Sequence, residues 1–267
     1  MAVAVAFLKR DLSQDLSYRL SFLLQLASIF FSVAIFYFLA KLFGGAVAPQ
    51  LEAYGGDYFS FVLIGLAFTG FLGLSLSNFA RSIREGQVMG TLEIMLLSPT
   101  RLSTILLSSS LWAYLLTTVR VLAYLLLGAL VFGASLGKAN VGAGLLVMFL
   151  GIASFSGIGI LSAALVLLVK KGDPVSWLIG GASSLLAGVY YPVSVLPDWL
   201  EPLSRVLPLT YCLDAMRLAI LQGYSIYELR FDILALLVFT VLLTPLAFLV
   251  FRKALKRAKM EGSLIQY

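Results

Sequence analysis

Leu102 to Val169 reads LSTILLSSSLWAYLLTTVRVLAYLLLGALVFGASLGKANVGAGLLVMFLGIASFSGIGILSAALVLLV, an apolar stretch without a carboxylate in which only Arg120 and Lys138 are charged. At 1.5 Å per residue it is far too long to cross a hydrocarbon core of about 30 Å once. It must therefore turn. Gly133-Ala134-Ser135-Leu136-Gly137-Lys138-Ala139-Asn140 supplies the turn, since glycine, asparagine and lysine gather there. The stretch divides into two helices, 102–134 and 141–169. Both exceed the roughly 20 residues a crossing needs, so they tilt or project into the cytosol.

The same reading extends in both directions. Residues 21–43 and 58–80 are apolar runs of crossing length. Arg81, Ser82, Ile83, Arg84 and Glu85 mark the return to water. Lys170-Lys171-Gly172-Asp173-Pro174 ends the fourth span, and Pro174 suits the first turn of a fifth over 175–191. A sixth runs over 231–251, with Pro245 as the point where it would kink. Before the first span, Leu8, Leu12, Leu16 and Leu20 recur every fourth residue among Lys9, Arg10, Asp11, Asp15 and Arg19. That spacing predicts an interfacial helix over residues 1–20. Ala46-Val47-Ala48 has the look of a signal cleavage site. The preceding run is too long for a signal peptide and Pro49 would follow the cut, so no cleavage is expected.

Composition agrees. The chain has 267 residues, 61% hydrophobic and only 12% charged, with a mean hydropathy of +1.00. A soluble domain carries about 25% charged residues, so water could not solvate this surface and a bilayer would. The chain forms a single membrane domain, 1–267, with too little left over for a soluble one. A net charge of +6 is no argument for nucleic acid, because the placement of the charges matters more than their sum. The single cysteine, Cys212, rules out an intramolecular disulfide. There is no histidine, which removes the commonest general base and metal ligand together.

Lysine and arginine placement gives orientation. One set of loops holds Lys9, Arg10 and Arg19; Arg81, Arg84 and Arg101; Lys170 and Lys171; and Arg252, Lys253, Lys256, Arg257 and Lys259. The other holds only Lys41, Lys138, Arg205, Arg217 and Arg230. Both termini are thus expected in the cytoplasm, which requires an even number of crossings.

Two loops stand out. After the second span, Val88, Leu92, Met95 and Leu96 share one side of a helix that Pro99 stops, an amphipathic element able to pack on the membrane or dock into a partner. Between the fifth and sixth spans, Asp198 to Leu207 and Tyr211 to Gln222 are two short apolar helices. Each is too short to cross, as in re-entrant or interfacial elements. Asp214 and Arg217, one turn apart, read as a local helix pair.

The run Glu85-Gly86, Gly90-Thr91-Leu92-Glu93 and Leu97-Ser98-Pro99-Thr100 resembles the loop signature of the type-2 permease family of ATP-binding-cassette exporters. So does Tyr191-Pro192-Val193-Ser194-Val195-Leu196-Pro197-Asp198-Trp199-Leu200, followed by Leu207-Pro208-Leu209-Thr210-Tyr211 and Asp214-Ala215-Met216-Arg217. The resemblance covers essentially the whole chain. It implies an all-α integral membrane permease of six spans that dimerises with a second protomer and is driven by two copies of a cytosolic ATPase subunit. It also implies that Glu85, Gly86, Gly90, Thr91 and Glu93 belong to the coupling helix that presses on that ATPase, with re-entrant helices near the outer face. The chain lacks a Gly-x-x-x-x-Gly-Lys-Ser/Thr loop, so ATP and Mg²⁺ are expected on the partner and no cofactor on this chain. The expected setting is the plasma membrane of a prokaryote.

Arg120 is the least expected residue within a span. It is read either as a contact to an anionic group in the transport path or as a structural arginine that pairs locally or reaches outward, off the midplane. Tyr191, Trp199, Leu203 and Tyr211 are the remaining positions expected on the path or at a gate, with Trp199 and Tyr211 as head-group anchors. Drugs, lipids and lipid-linked saccharides all fit as cargo. A lipid-modifying membrane enzyme would need convergent acid, base or metal groups, and the 13 carboxylates are scattered. An ion-coupled carrier or channel would place carboxylates inside the spans, where this chain has none. Asp232 lies only at the edge of the last.

Overall fold

Asp57 starts the most buried of the long helices among the described residues. Its carboxylate accepts hydrogen bonds from the backbone N–H groups of Phe59, at 3.2 Å, and Ser60, at 3.1 Å, which satisfies donors left free at a helix start. The computed structural model describes residues 8, 12, 19–43, 49–88, 90, 102–169 and 174–260. Among these, every regular element is helical. They are α1 (Arg19–Phe43), α2 (Tyr58–Val88), α3 (Leu102–Leu130), α4 (Val141–Val169), α5 (Pro174–Leu186), α6 (Glu201–Arg205), α7 (Pro208–Arg217, continued by a π turn over Leu218–Gln222) and α8 (Arg230–Met260), with 3₁₀ turns at Pro49–Tyr54 and Val193–Val195. The interfacial helix expected over 1–20, the loop from 91 to 101 and the tail from 261 lie largely or wholly outside the described residues.

Among the described residues, five helices are long and apolar enough to cross a membrane, namely α1, α2, α3, α4 and α8. The expected fifth span is the exception. Its helix has 13 residues, or about 20 Å, and stops at Leu186 rather than reaching residue 191. Gly188, at φ +74°, adopts the left-handed conformation that ends helices. The third helix stops at Leu130 rather than 134 for the same reason. Gly133 is left-handed at φ +74°, and the Ala134 N–H closes back on the Gly128 carbonyl at 2.8 Å. The turn before α4 lies where the sequence places it, and Asn140 caps α4 through a bond from the Ala143 N–H at 3.1 Å. Two helices run longer than expected. α2 continues through Arg81–Glu85 to Val88, and α8 passes Pro245 and continues through the basic segment to Met260.

α2 and α4 form the centre, with α8 and α3 on either side and α1 leaning on α2 and α3. Phe68, Phe71, Leu72, Val147, Phe155, Leu213 and Met216 share the main core. α4 approaches α2 so closely that a Cβ at Gly159 would lie 2.3 Å from the Ser75 carbonyl oxygen. Polar groups in these seams find partners across them. Ser154 Oγ donates to the Leu236 carbonyl of α8 at 3.0 Å, and Asn78 Nδ2 donates to Ser110 Oγ at 2.8 Å. In lipid such bonds contribute about 0.6 kcal/mol each. The outward apolar faces, such as Leu23, Phe31 and Phe38 of α1 and Leu234, Val241 and Leu249 of α8, remain exposed, as suits helices in contact with lipid.

Candidate functional site: a polar chamber beneath the helix break

The chain between α5 and α8 folds back into the bundle. Of the two alternatives for α7, re-entrant or interfacial, its packing agrees with the first. Leu209, Cys212, Leu213, Ala215 and Met216 are buried, packed among α2, α4 and α8. Pro208 at its first turn fits the missing donor of proline. At its far end Gly223, at φ +74°, reverses the chain, and the Asn140 side chain ties that end to α4 by donating to the Tyr224 carbonyl at 3.1 Å.

Arg217 is 2% exposed. The local pair with Asp214 expected from spacing is not its main bond. Its Nε donates to the Phe61 carbonyl of α2 at 3.1 Å, and its Nη2 donates to the Val189 carbonyl at 2.9 Å. The guanidinium lies over the Phe61 ring, 3.5 Å from its centroid, a cation–π contact. Val189 lies just after the helix break, where backbone groups have lost their helical partners. Inside a bilayer such a carbonyl needs a donor, and Arg217 supplies it. Gly65 makes the approach feasible, because a Cβ there would lie 2.4 Å from the Val189 oxygen and 2.8 Å from Arg217 Nη2.

Asp214 turns the other way and accepts a hydrogen bond from the Tyr54 hydroxyl, which comes from the 3₁₀ turn between α1 and α2. Burial first, then the Asp214 carboxylate, raises the Tyr54 pKa above its ordinary value, so the phenol stays a donor at neutral pH. Together Tyr54, Asp214 and Arg217 wall a cavity of about 360 Å³ that Tyr211, Asp232 and the Glu201–Arg205 pair complete. Its deep wall includes buried Ala187 and Arg217, and its outer wall includes exposed Ser194 and Arg205. Arg205 is ion-paired with Glu201 one turn back.

The residues marked in the sequence are dispersed. Tyr211 lines the chamber. Tyr191 lies beside the break, its hydroxyl donating to the Leu185 carbonyl in the last turn of α5. Trp199 and Leu203 are exposed on the outer side of the folded-back segment. Arg120 is not among the residues that line the chamber. It lies within the apolar stretch Ser110–Leu130 of α3, and its Nε is buried without a hydrogen-bond partner among the described residues. At the opposite end, Glu85 is exposed and Gly86 buried on α2 itself, so both belong to the extension of the second span. Gly90 follows, left-handed at φ +65°. Thr91 and Glu93 lie outside the described residues. Sequence reading did not mark Tyr54 or Asp232, or the buried role of Arg217. Two charges one turn apart in a segment too apolar for water, with a second acid at the lip of the next helix, were the available signal for the last two. Tyr54 had none.

Among the described residues, no group of three His, Cys, Asp or Glu side chains sits close enough to hold a metal ion. A family model described as ABC-2 type transporter matches residues 5–221. No curated protein matches the chain.

Proposed function

This chain belongs to the ABC-2 type transporter family, and from that membership we propose that it is the permease subunit of an exporter carrying an amphipathic, lipid, lipid-linked or drug-like molecule out of the cytoplasm. It is a multi-pass membrane protein whose family associates with an ATP-binding-cassette partner. In this reading two copies of that ATPase hold ATP and Mg²⁺, two identical permease protomers form the pathway, and the host membrane is the plasma membrane of a prokaryote. Both termini face the cytoplasm, with α5 and the stretch 187–191 together making the fifth of six crossings.

The observation that carries the reading is the polarity of the bundle along its axis. One end has a broken helix, a folded-back segment and a charged chamber. At the other end α2 and α8 extend past the expected membrane boundary, with Arg81, Arg84, Arg252, Lys253 and Lys256 exposed, as the positive-inside rule requires of a cytoplasmic face. A pathway needs such a difference between its ends. Glu85, Gly86, Gly90, Thr91 and Glu93 at the basic end make the ATPase contact, Arg120 lies along the path, and Tyr191, Trp199, Leu203 and Tyr211 belong to the outer gate.

The test is co-purification of the tagged permease from its native membrane, followed by reconstitution of whatever accompanies it. A stoichiometric ATPase subunit and ATP-dependent efflux of a fluorescent amphiphile from vesicles are expected. A permease that purifies alone and moves cargo down an ion gradient without ATP would sink the proposal.

A further inference from the structure

The outer chamber holds an excess of one acid. Five charged side chains line it, Glu201, Arg205, Asp214, Arg217 and Asp232, and the two bases are already engaged. Arg205 pairs with Glu201. Arg217 offsets one further carboxylate by charge, but two of its nitrogens donate to the carbonyls of Phe61 and Val189 and an aromatic ring covers its face. Tyr54 gives Asp214 a neutral donor only. Asp232, half-buried at the start of α8, meets its own backbone amide, and the charge that acts on it among the described residues is that of Asp214, of like sign. What remains open in the chamber is acceptor capacity beside one uncompensated negative charge. Carboxylates withdrawn from water are costly until a donor or a cation meets them.

An anion placed there would face two carboxylates, and a hydrocarbon chain would leave both unmet. A group with N–H donors and a single positive charge satisfies both conditions, and Tyr211, an aromatic residue of a type that attracts cations, lines the same cavity. The volume of about 360 Å³ lies at the lower end of the range for small-ligand sites. It admits a polar head with a few carbons and excludes a whole lipid.

We propose that the chamber binds the protonated amine of an amphipathic molecule, with Asp232 and Asp214 as its counter-charges. This names the cargo class of the exporter reading and rests on it. A free amphipathic amine and an aminolipid headgroup present the same ammonium, so the test separates those sources.

The full chain is placed in nanodiscs of phosphatidylglycerol without ATPase or nucleotide, and binding of radiolabelled octylamine is measured. Saturable binding is expected, with no competition from octanol or octanoate. Asp232→Asn should weaken it about tenfold to a hundredfold, the usual worth of a hydrogen bond to a charged group, whereas Asp232→Glu should retain it. Asp232 leaves the Tyr54–Asp214 bond intact, so its variants test charge rather than folding. If phosphatidylethanolamine in the disc displaces octylamine, the natural occupant is a lipid headgroup; if it does not, the occupant is a free amphiphile. Absent binding, or binding unaltered by Asp232→Asn, overturns the proposal. Because no ATPase is present, that failure leaves the exporter reading standing, and loss of ATP-driven efflux would leave the binding result standing.

Discussion

Arg217 shows how one charged residue makes a broken helix tolerable in lipid. Val189 is 1% exposed, and its carbonyl, lying beyond the end of α5, receives its bond from Arg217 Nη2. Removing that donor leaves a buried acceptor unmet, at about 1–3 kcal/mol. Arg217→Met is therefore expected to lower the unfolding midpoint in nanodiscs by several degrees, with Arg217→Lys intermediate, since lysine lacks the planar fork that reaches two carbonyls at once. Gly65→Ala should act in the same direction, because its Cβ would meet the Val189 oxygen at 2.4 Å. Scanning calorimetry in lipid checks the order, and a methionine variant as stable as the wild type would remove Arg217 from this role. From sequence, Arg217 was visible as a loop charge, as part of the family signature and as one half of an i, i+3 pair, none of which shows what its guanidinium meets. Spacing along a helix shows which residues are neighbours on that helix but says nothing of carbonyls brought in from residues 61 and 189.

At the scale of elements, the glycines at helix ends set where the spans stop. α2 keeps its helical hydrogen bonding through Arg81–Glu85, which charge alone suggested as a loop, since exposed charges solvate well on a helix that has left the membrane. Gly90 ends it. A Cβ at Gly90 would find nothing within 4 Å among the described residues, so a substitution there acts first through backbone conformation. At φ +65° a β-branched residue is strained by about 1–2 kcal/mol, whereas asparagine visits this region readily. In the proposed ATPase contact, Gly90→Val should reduce transport and stimulation of the ATPase while the protein still reaches the membrane, and Gly90→Asn should retain most of both. Equal ATPase stimulation in the two variants would detach this turn from coupling. The lengths of α1 and α4 were legible because apolar runs bounded by polar residues leave little choice. That of α5 was not, because Ala187 to Tyr191 is as apolar as the helix before it, and only the fold that receives residues 187–191 decides that they are not helical.

For the whole molecule, the charge bias and the position of the chamber predict one orientation. A cysteine probe at Gln50, exposed in the turn before α2, should react with an impermeant maleimide added outside intact cells. A probe at Lys256, exposed on the basic end of α8, should react only after permeabilisation. Cys212 is 2% exposed, so it contributes no background and need not be replaced. Labelling of Lys256→Cys in intact cells would reverse the orientation and place the chamber on the cytoplasmic side.

The sequence by itself determined that this is a helical membrane protein, where most of its spans lie, and which family it joins. Those properties follow from quantities additive along the chain: the length of apolar runs against the thickness of a bilayer, the sign of charges in loops, and turn residues in their local order. Tertiary structure alone decided which side chains of the re-entrant α7 enter the core, that Arg217 mends the break after α5, and that Tyr54, Asp214 and Asp232 line one cavity. These groups come from three elements separated by up to 178 residues of chain. Their proximity is set by helix packing, in which each approach depends on the shape and polarity of the facing helix and so has no local record in the sequence.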